Sequence, residues 1–183
     1  SERMERVINN LLDMTRLETG GMKVRREWQP LQEVVGAAIR HLSKRLDGRE
    51  IRTHLPGDLP MVPIDAVAIE QVLANLLDNA AEYTPAGSPI DISARIEPGR
   101  VFLEVADHGP GLPPGSESRV FEKFFRAHNK GGQRGIGLGL AICKGLVETH
   151  NGTITAANRA GGGAVFTIVL PVEGSPPQVT LDD

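Results

Sequence analysis

Gly135-Ile136-Gly137-Leu138-Gly139-Leu140 is the stretch on which the reading of this chain turns. Its three glycines alternate, so the backbone can turn tightly and come close to a ligand with no Cβ in the way. From there Leu138, Leu140, Ala141, Ile142, Leu146 and Val147 recur at roughly helical spacing, which puts the glycines at a helix N-terminus. The first amide N–H groups of a helix have no intrahelical partner, and the helix dipole favours an anion beside them. The stretch is thus a phosphate site in principle, and on its own it reads equally as a Gly-rich loop before a core helix. Two common phosphate motifs do not fit. No Gly-Lys-Ser/Thr follows, and the preceding His128-Asn129-Lys130-Gly131-Gly132-Gln133-Arg134 is polar where a dinucleotide fold needs a buried strand.

The bulk properties narrow the classes. A length of 183 residues leaves room for one ordinary domain and an appendage. With 40% apolar but only 4% aromatic residues, the core must be mostly aliphatic. A net charge of −3 offers no global attraction to nucleic acid or anionic lipid. No apolar run approaches the roughly 20 residues of a membrane span. Cys143 is the single cysteine, which excludes an internal disulfide and fits a reducing compartment. The expectation is a soluble cytoplasmic piece, and the opening within a helical pattern suggests part of something larger.

Along the chain, Met4, Val7, Leu11 and Met14, widened by Ile8, Leu12 and Leu17, predict a helix over residues 1–18 that Gly20-Gly21 ends. So apolar a stripe should pack on helices outside this chain; the alternative is packing on its own domain. An extended segment from Met22 to Trp28 leads to a helix from Pro30 to about Leu46. Strands are expected near Ile51–Leu55 and Met61–Ile64, and Asp65 is placed to cap a helix that Thr84-Pro85 stops. Strands Ile90–Ile96 and Val101–Ala106 flank the turn Glu97-Pro98-Gly99-Arg100. A helical turn is expected within Ser116–Phe124. The helix after the central glycines ends near His150-Asn151-Gly152, and strands Thr153–Ala157 and Ala164–Leu170 close the domain. Helices first and strand pairs later predict an α+β sandwich, one mixed sheet covered by helices on one face.

Three further stretches carry chemistry. Asn75, Asp78, Asn79 and Glu82 form a polar set within the apolar helix before Thr84. Asn75 and Asn79 lie one turn apart on one face. Their amide oxygens could join phosphate oxygens and waters around Mg²⁺, or simply satisfy buried backbone. Asp107, at a strand end ahead of Gly109 and Gly111, could accept from an exocyclic amine while the backbone lies along a base; it could also be a turn cap. Phe121-Glu122-Lys123-Phe124-Phe125-Arg126 holds three of the five phenylalanines. It leads, through Lys123, Arg126, Lys130 and Arg134, into a basic loop suited to phosphates.

Taken in order, Asn75-Leu76-Leu77-Asp78-Asn79-Ala80, Asp107-x-Gly109-x-Gly111, Phe121–Arg126 and Gly135-x-Gly137-Leu138-Gly139-Leu140 resemble the N, G1, F and G2 boxes of sensor histidine kinases. The resemblance covers about residues 25–171. It implies an α+β GHKL (Bergerat) ATP-binding sandwich over residues 22–172; the tail at 173–183, with Pro176-Pro177 and two terminal aspartates, is expected from its composition to be disordered. Residues 1–21 look like the end of the second helix of the dimerisation hairpin that precedes such domains. Mg²⁺ and ATP are the implied ligands. Asn79 would ligate the metal, Asn75 would hold the catalytic position, and Asp107 would accept from the adenine amino group. Tyr83 would line the ribose and adenine side, and Arg126, with Lys123 and Lys130, would serve the phosphates. Gly109, Gly111, Gly135, Gly137, Leu138, Gly139 and Leu140 would frame the nucleotide, and residues 112–136 would be a mobile lid.

The resemblance further implies three macromolecular relations: a dimerisation hairpin carrying the phosphoacceptor histidine, a cognate response regulator, and a homodimeric intact protein. Nucleic acid is not among the expected partners. The implied location is the cytoplasmic side of a bacterial inner-membrane sensor. Two departures stand out. His41, His54, His108, His128 and His150 all lack the acceptor's context, an acidic residue next and a proline several positions on. Glu82 stands where the family often has Lys, so it either repels the phosphates or pairs with a lid base such as Arg126 or Lys130. Gyrase- or chaperone-type ATPases of the same superfold place a carboxylate where Asn75 stands, and an amide cannot act as a general base at neutral pH. A nucleotide-sensing module without chemistry is the other reading.

Overall fold

The computed structural model describes residues 2–126 and 137–177. In chain order the elements are helix α1 (Glu2–Glu18), strand β1 (Glu27–Gln29), helix α2 (Leu31–His41), β2 (Ile51–His54), β3 (Val62–Ile64) and α3 (Ala66–Tyr83). There follow β4 (Ile90–Glu97), β5 (Arg100–Ala106), a 3₁₀ turn (Arg119–Phe121), α4 (Gly139–Thr149), β6 (Thr153–Asn158) and β7 (Ala164–Pro171).

Five strands form a mixed sheet in the order β2-β4-β5-β7-β6, parallel only between β2 and β4. A parallel pair needs a crossover, and here β3 and α3 supply it. Period-two alternation then settles which face is covered. Ile90 and Ile92, Val101, Leu103 and Val105, Ile154, and Phe166, Ile168 and Leu170 are all buried, pointing to the side where α2, α3 and α4 lie. On the open face Phe102 is sheltered by Arg95 and Arg100, whose guanidinium carbons stand 3.7 and 5.0 Å from the ring centroid.

Two expectations need correction. α2 ends at His41 rather than near Leu46, because residues 42–48 coil into turns; Leu46 nevertheless reaches the core. The sheet is also not alone: β1 and β3 pair antiparallel as a separate two-stranded ribbon, Trp28 opposite Pro63.

Both ends of α3 are closed by side chains. The Asp65 carboxylate accepts from Ala68 N at 3.1 Å, an N-cap of ordinary kind. At the other end of α3, Arg49 donates to the carbonyls of Ala81 and Thr84 and to Thr84 Oγ1, supplying partners that the last turn cannot find within the helix. The buried His150 ring links two elements, Nε2 accepting from Asp65 N at 3.0 Å and Nδ1 donating to Leu146 O at 2.8 Å.

α1 has two differently placed faces. Arg6 pairs with Asp78, Asp13 accepts from Gln71, and Leu17 packs against Gly145, so one face rests on α3 and α4. Met4, Ile8, Leu11 and Leu12 stay exposed on the rest of the helix.

Candidate functional site

The site forms where the polar side of α3 meets the start of α4 and the end of β5. Val72, Leu73, Leu76, Leu77 and Ala80 bury the other side of α3, so the helical period leaves Asn75, Asp78, Asn79 and Glu82 half-buried along one flank. Asn75 Nδ2 donates to Gly139 O at 3.4 Å, tying this flank to the first turn of α4.

Asp107 comes from the sheet. It continues the inward parity of Val101, Leu103 and Val105, so its carboxylate turns toward the helices and only 6% of the residue is exposed. Its Oδ1 accepts from Gly109 N at 3.1 Å and Ala164 N at 3.0 Å. Among the described residues no hydrogen bond falls on Oδ2. A buried carboxylate with a spare oxygen is costly to keep unless a donor arrives.

A cleft of about 1110 Å³, counted to its open mouth, joins these pieces. Asn75, Asn79, Tyr83, Asp107, Gly111, Arg126, Gly137, Leu138, Gly139 and Leu140 all line it. Ten residues that the sequence singled out thus meet on one cavity. The Tyr83 phenol is half-buried and hydrogen-bonded to the Arg126 guanidinium; burial pushes its pKa up.

Other assignments move. Lys123 does not line this cleft: it pairs with Glu18 of α1 beside a second groove between α1 and α4. Gly109 sits behind the wall, where a Cβ would stand 2.7 Å from Thr84 Cγ2 and 2.8 Å from Tyr83 O. Gly137 has φ +78°, and a Cβ there would stand 2.8 Å from Phe125 O. At these two positions glycine is required by the protein's own close packing. Lys130 and Gly135 lie outside the described residues. Of the expected lid, residues 112–126 are anchored in part: Ser116, Val120 and Phe121 are buried, and Phe121 meets Phe166 edge-on with ring centroids 6.1 Å apart.

The sequence reading missed Arg6 and Asn10, which line the cleft from α1, and Ala164 and Phe166, which line it from β7. It also missed Arg45, which holds Glu82 and Asp78. Nothing local marks these residues, since each is brought in by a distant element.

Residues 64–174 match the family described as "Histidine kinase-, DNA gyrase B-, and HSP90-like ATPase". The chain belongs to that family, and its likeness within it is to the ATP-binding domains of sensor histidine kinases. Sensor protein KdpD of Escherichia coli (strain K12) is 46% identical over 171 residues, covering 93% of this chain and 19% of that protein. KdpD of Clostridium acetobutylicum is 39% identical over 175 residues, covering 94% and 19%. The chain therefore spans about a fifth of these relatives. Among solved structures, mycobacterial sensor histidine kinase MprB superposes with a TM-score of 0.71 at 31% identity, covering 84% of this chain and all of that one. Full-length ShkA in complex with AMPPNP superposes with a TM-score of 0.81 at 27% identity, covering 94% of this chain and 36% of that one. No helix among the described residues is long and apolar enough to cross a membrane.

Proposed function

We propose that this domain binds Mg-ATP in the α3–α4 cleft. Its γ-phosphoryl group then passes to a histidine on a dimerisation hairpin outside the chain, for relay to a response regulator. The observation that carries the reading is the meeting, in one cleft, of the buried Asp107 carboxylate, the α3 amides and the glycine-rich start of α4. The nucleotide analogue in the related ShkA structure supports it.

In this reading Asp107 Oδ2 accepts from the exocyclic amine of adenine, and Gly111 and Leu112 lie along the base. Tyr83 and Arg126 close the flank, and the first turn of α4 faces the phosphates. No cluster of three or more His, Cys, Asp or Glu among the described residues could cage a metal. That suits Mg²⁺, which is held largely by phosphate oxygens and waters, with Asn79 as the protein ligand. The ion would neutralise phosphate charge as it shifts. Asn75, an amide, orients groups and takes no proton from water. The phosphoryl group is thereby kept for the incoming imidazole nitrogen: the N–P bond forms as the bond to the ADP oxygen breaks. Helix α1 is the end of the hairpin's second helix, and the intact protein is a homodimeric membrane sensor. By likeness to the KdpD relatives, its signalling context is control of potassium uptake.

Incubation with γ-labelled ATP and a separate hairpin bearing the acceptor histidine tests the reading. Label is expected on the hairpin and none on this chain. Acid-labile, base-stable label on this chain alone, or steady release of inorganic phosphate with no label on the hairpin, would overturn it.

A further inference from the structure

The turn between β6 and β7 does not line the cleft, yet it grips the loop that does. Asn158 holds both polar groups of the Leu112 backbone: Leu112 N donates to Asn158 Oδ1 at 2.6 Å, and Asn158 Nδ2 donates to Leu112 O at 3.0 Å. Its neighbour Arg159 donates from Nη1 to Asp107 O at 2.9 Å. The same nitrogen stands 3.0 Å from Nδ1 of His108, whose Nε2 is 2.6 Å from Asp91 Oδ2 on β4. The turn is closed on itself by Arg159 N donating to Gly163 O at 2.8 Å.

Loop and turn also interlock sterically. A Cβ on Gly111 would stand 2.6 Å from Asn158 Oδ1, and one on Gly163 would stand 2.0 Å from Asp107 O. Both ends of the loop from Asp107 to Leu112 are therefore pinned by two adjacent side chains, neither of which touches the cleft. Between the pins, Asp107, Gly111 and Leu112 line it.

Resting on the nucleotide reading above, we infer that Asn158 and Arg159 are positioning residues for nucleobase selection. They hold the carboxylate and the Leu112 backbone at a set separation, so that one planar base meets both at once. A carboxylate held in register distinguishes an amine from a carbonyl at the same ring position, because the carbonyl oxygen can only oppose it. A carboxylate on a loosened loop moves aside and loses that distinction.

The test uses the full chain, with ATP and GTP titrated calorimetrically against wild type, N158A, R159A and R159K, each with its melting curve. GTP carries a carbonyl where ATP carries the amine. N158A and R159A are expected to weaken ATP by about tenfold, the scale of one hydrogen bond, and GTP by less than about twofold, so the ATP:GTP preference collapses. R159K keeps a donor for Asp107 O and is expected to restore most of the preference. Equal losses for both nucleotides, or an unmoved ratio in N158A and R159A, overturn the inference. If N158A does not melt cooperatively, R159A against R159K decides. A wild-type chain that binds neither nucleotide removes the functional reading and this inference with it. Wild-type preference for ATP that both variants retain removes this inference alone.

Discussion

Arg45 Nη2 donates to Glu82 Oε2 across 2.8 Å, and Nε of the same guanidinium reaches Asp78 Oδ1 at 3.1 Å. Arg6 takes the other oxygen of Asp78, also at 3.1 Å. Arg45, from the turns after α2, is thus a partner of the residue that departs from the family pattern. The side chains of Arg45 and Glu82 are only 24% and 18% exposed, so solvent screens them incompletely. Glu82→Lys would set an ammonium against that guanidinium. It is expected to cost about 1–2 kcal/mol in urea unfolding, between the surface and buried extremes for ion pairs. Arg45 also holds Asp78, so a double-mutant cycle with Arg45→Met and Glu82→Gln isolates the pair, and a coupling energy near zero would show that the pairing contributes nothing.

Asp107→Asn keeps one oxygen for the amides of Gly109 and Ala164 but replaces the other oxygen by a donor. ATP affinity should fall by about 1–3 kcal/mol, one charged hydrogen bond, with little change in melting temperature. Asn79→Ala should remove the Mg²⁺-dependent part of ATP affinity. Calorimetry with and without the metal reads both; unchanged values would refute the assignments.

Stability should fall on mild acidification through His150. Burial lowers its pKa, ahead of the opposing hydrogen bond to Leu146 and the charge of Asp65. A protonated ring cannot accept from Asp65 N, so protons bind the unfolded chain more readily than the folded one. The contribution is full above the ordinary imidazole value of about 6.5. It declines as pH falls from there through the lower folded value. Urea midpoints measured from pH 7.5 down to 5 should drop, and His150→Gln should flatten that drop while lowering stability at pH 7.5.

Two glycines of one turn should respond differently to alanine. Gly161 has φ +91° with nothing near its missing Cβ, so Gly161→Ala costs the left-handed backbone alone, about 1–2 kcal/mol. Gly163 has φ +99°, and its Cβ would meet the Asp107 carbonyl oxygen. Gly163→Ala should cost roughly 3 kcal/mol or more, since a clash adds to the strain. Denaturant midpoints compare them directly, and equal losses would mean that the turn gives way easily.

What could be read from the sequence was local. Asp65 capping α3, the turn at 97–100 between β4 and β5, and the asparagine pair one helical turn apart follow from hydrogen-bonding groups and periods acting within a few residues. Four spaced motifs carried the family, because each is a short segment whose residue types the chemistry demands. Charge alone did not separate the basic residues of one run: Arg126 lines the cleft, whereas Lys123 pairs with Glu18 of α1.

The sequence by itself determined that an α+β nucleotide-type domain would form and which side chains α3, β5 and α4 would offer. The tertiary structure alone decided the strand order β2-β4-β5-β7-β6, the paired ribbon β1–β3, the Arg45 hold on Glu82, and the splint of Asn158 and Arg159 on the Asp107 loop. The physical reason is range. Caps and periods act over a few residues, whereas Asn158 reaches Leu112 across 46 residues of chain, and only the packed sheet brings the two within hydrogen-bonding distance.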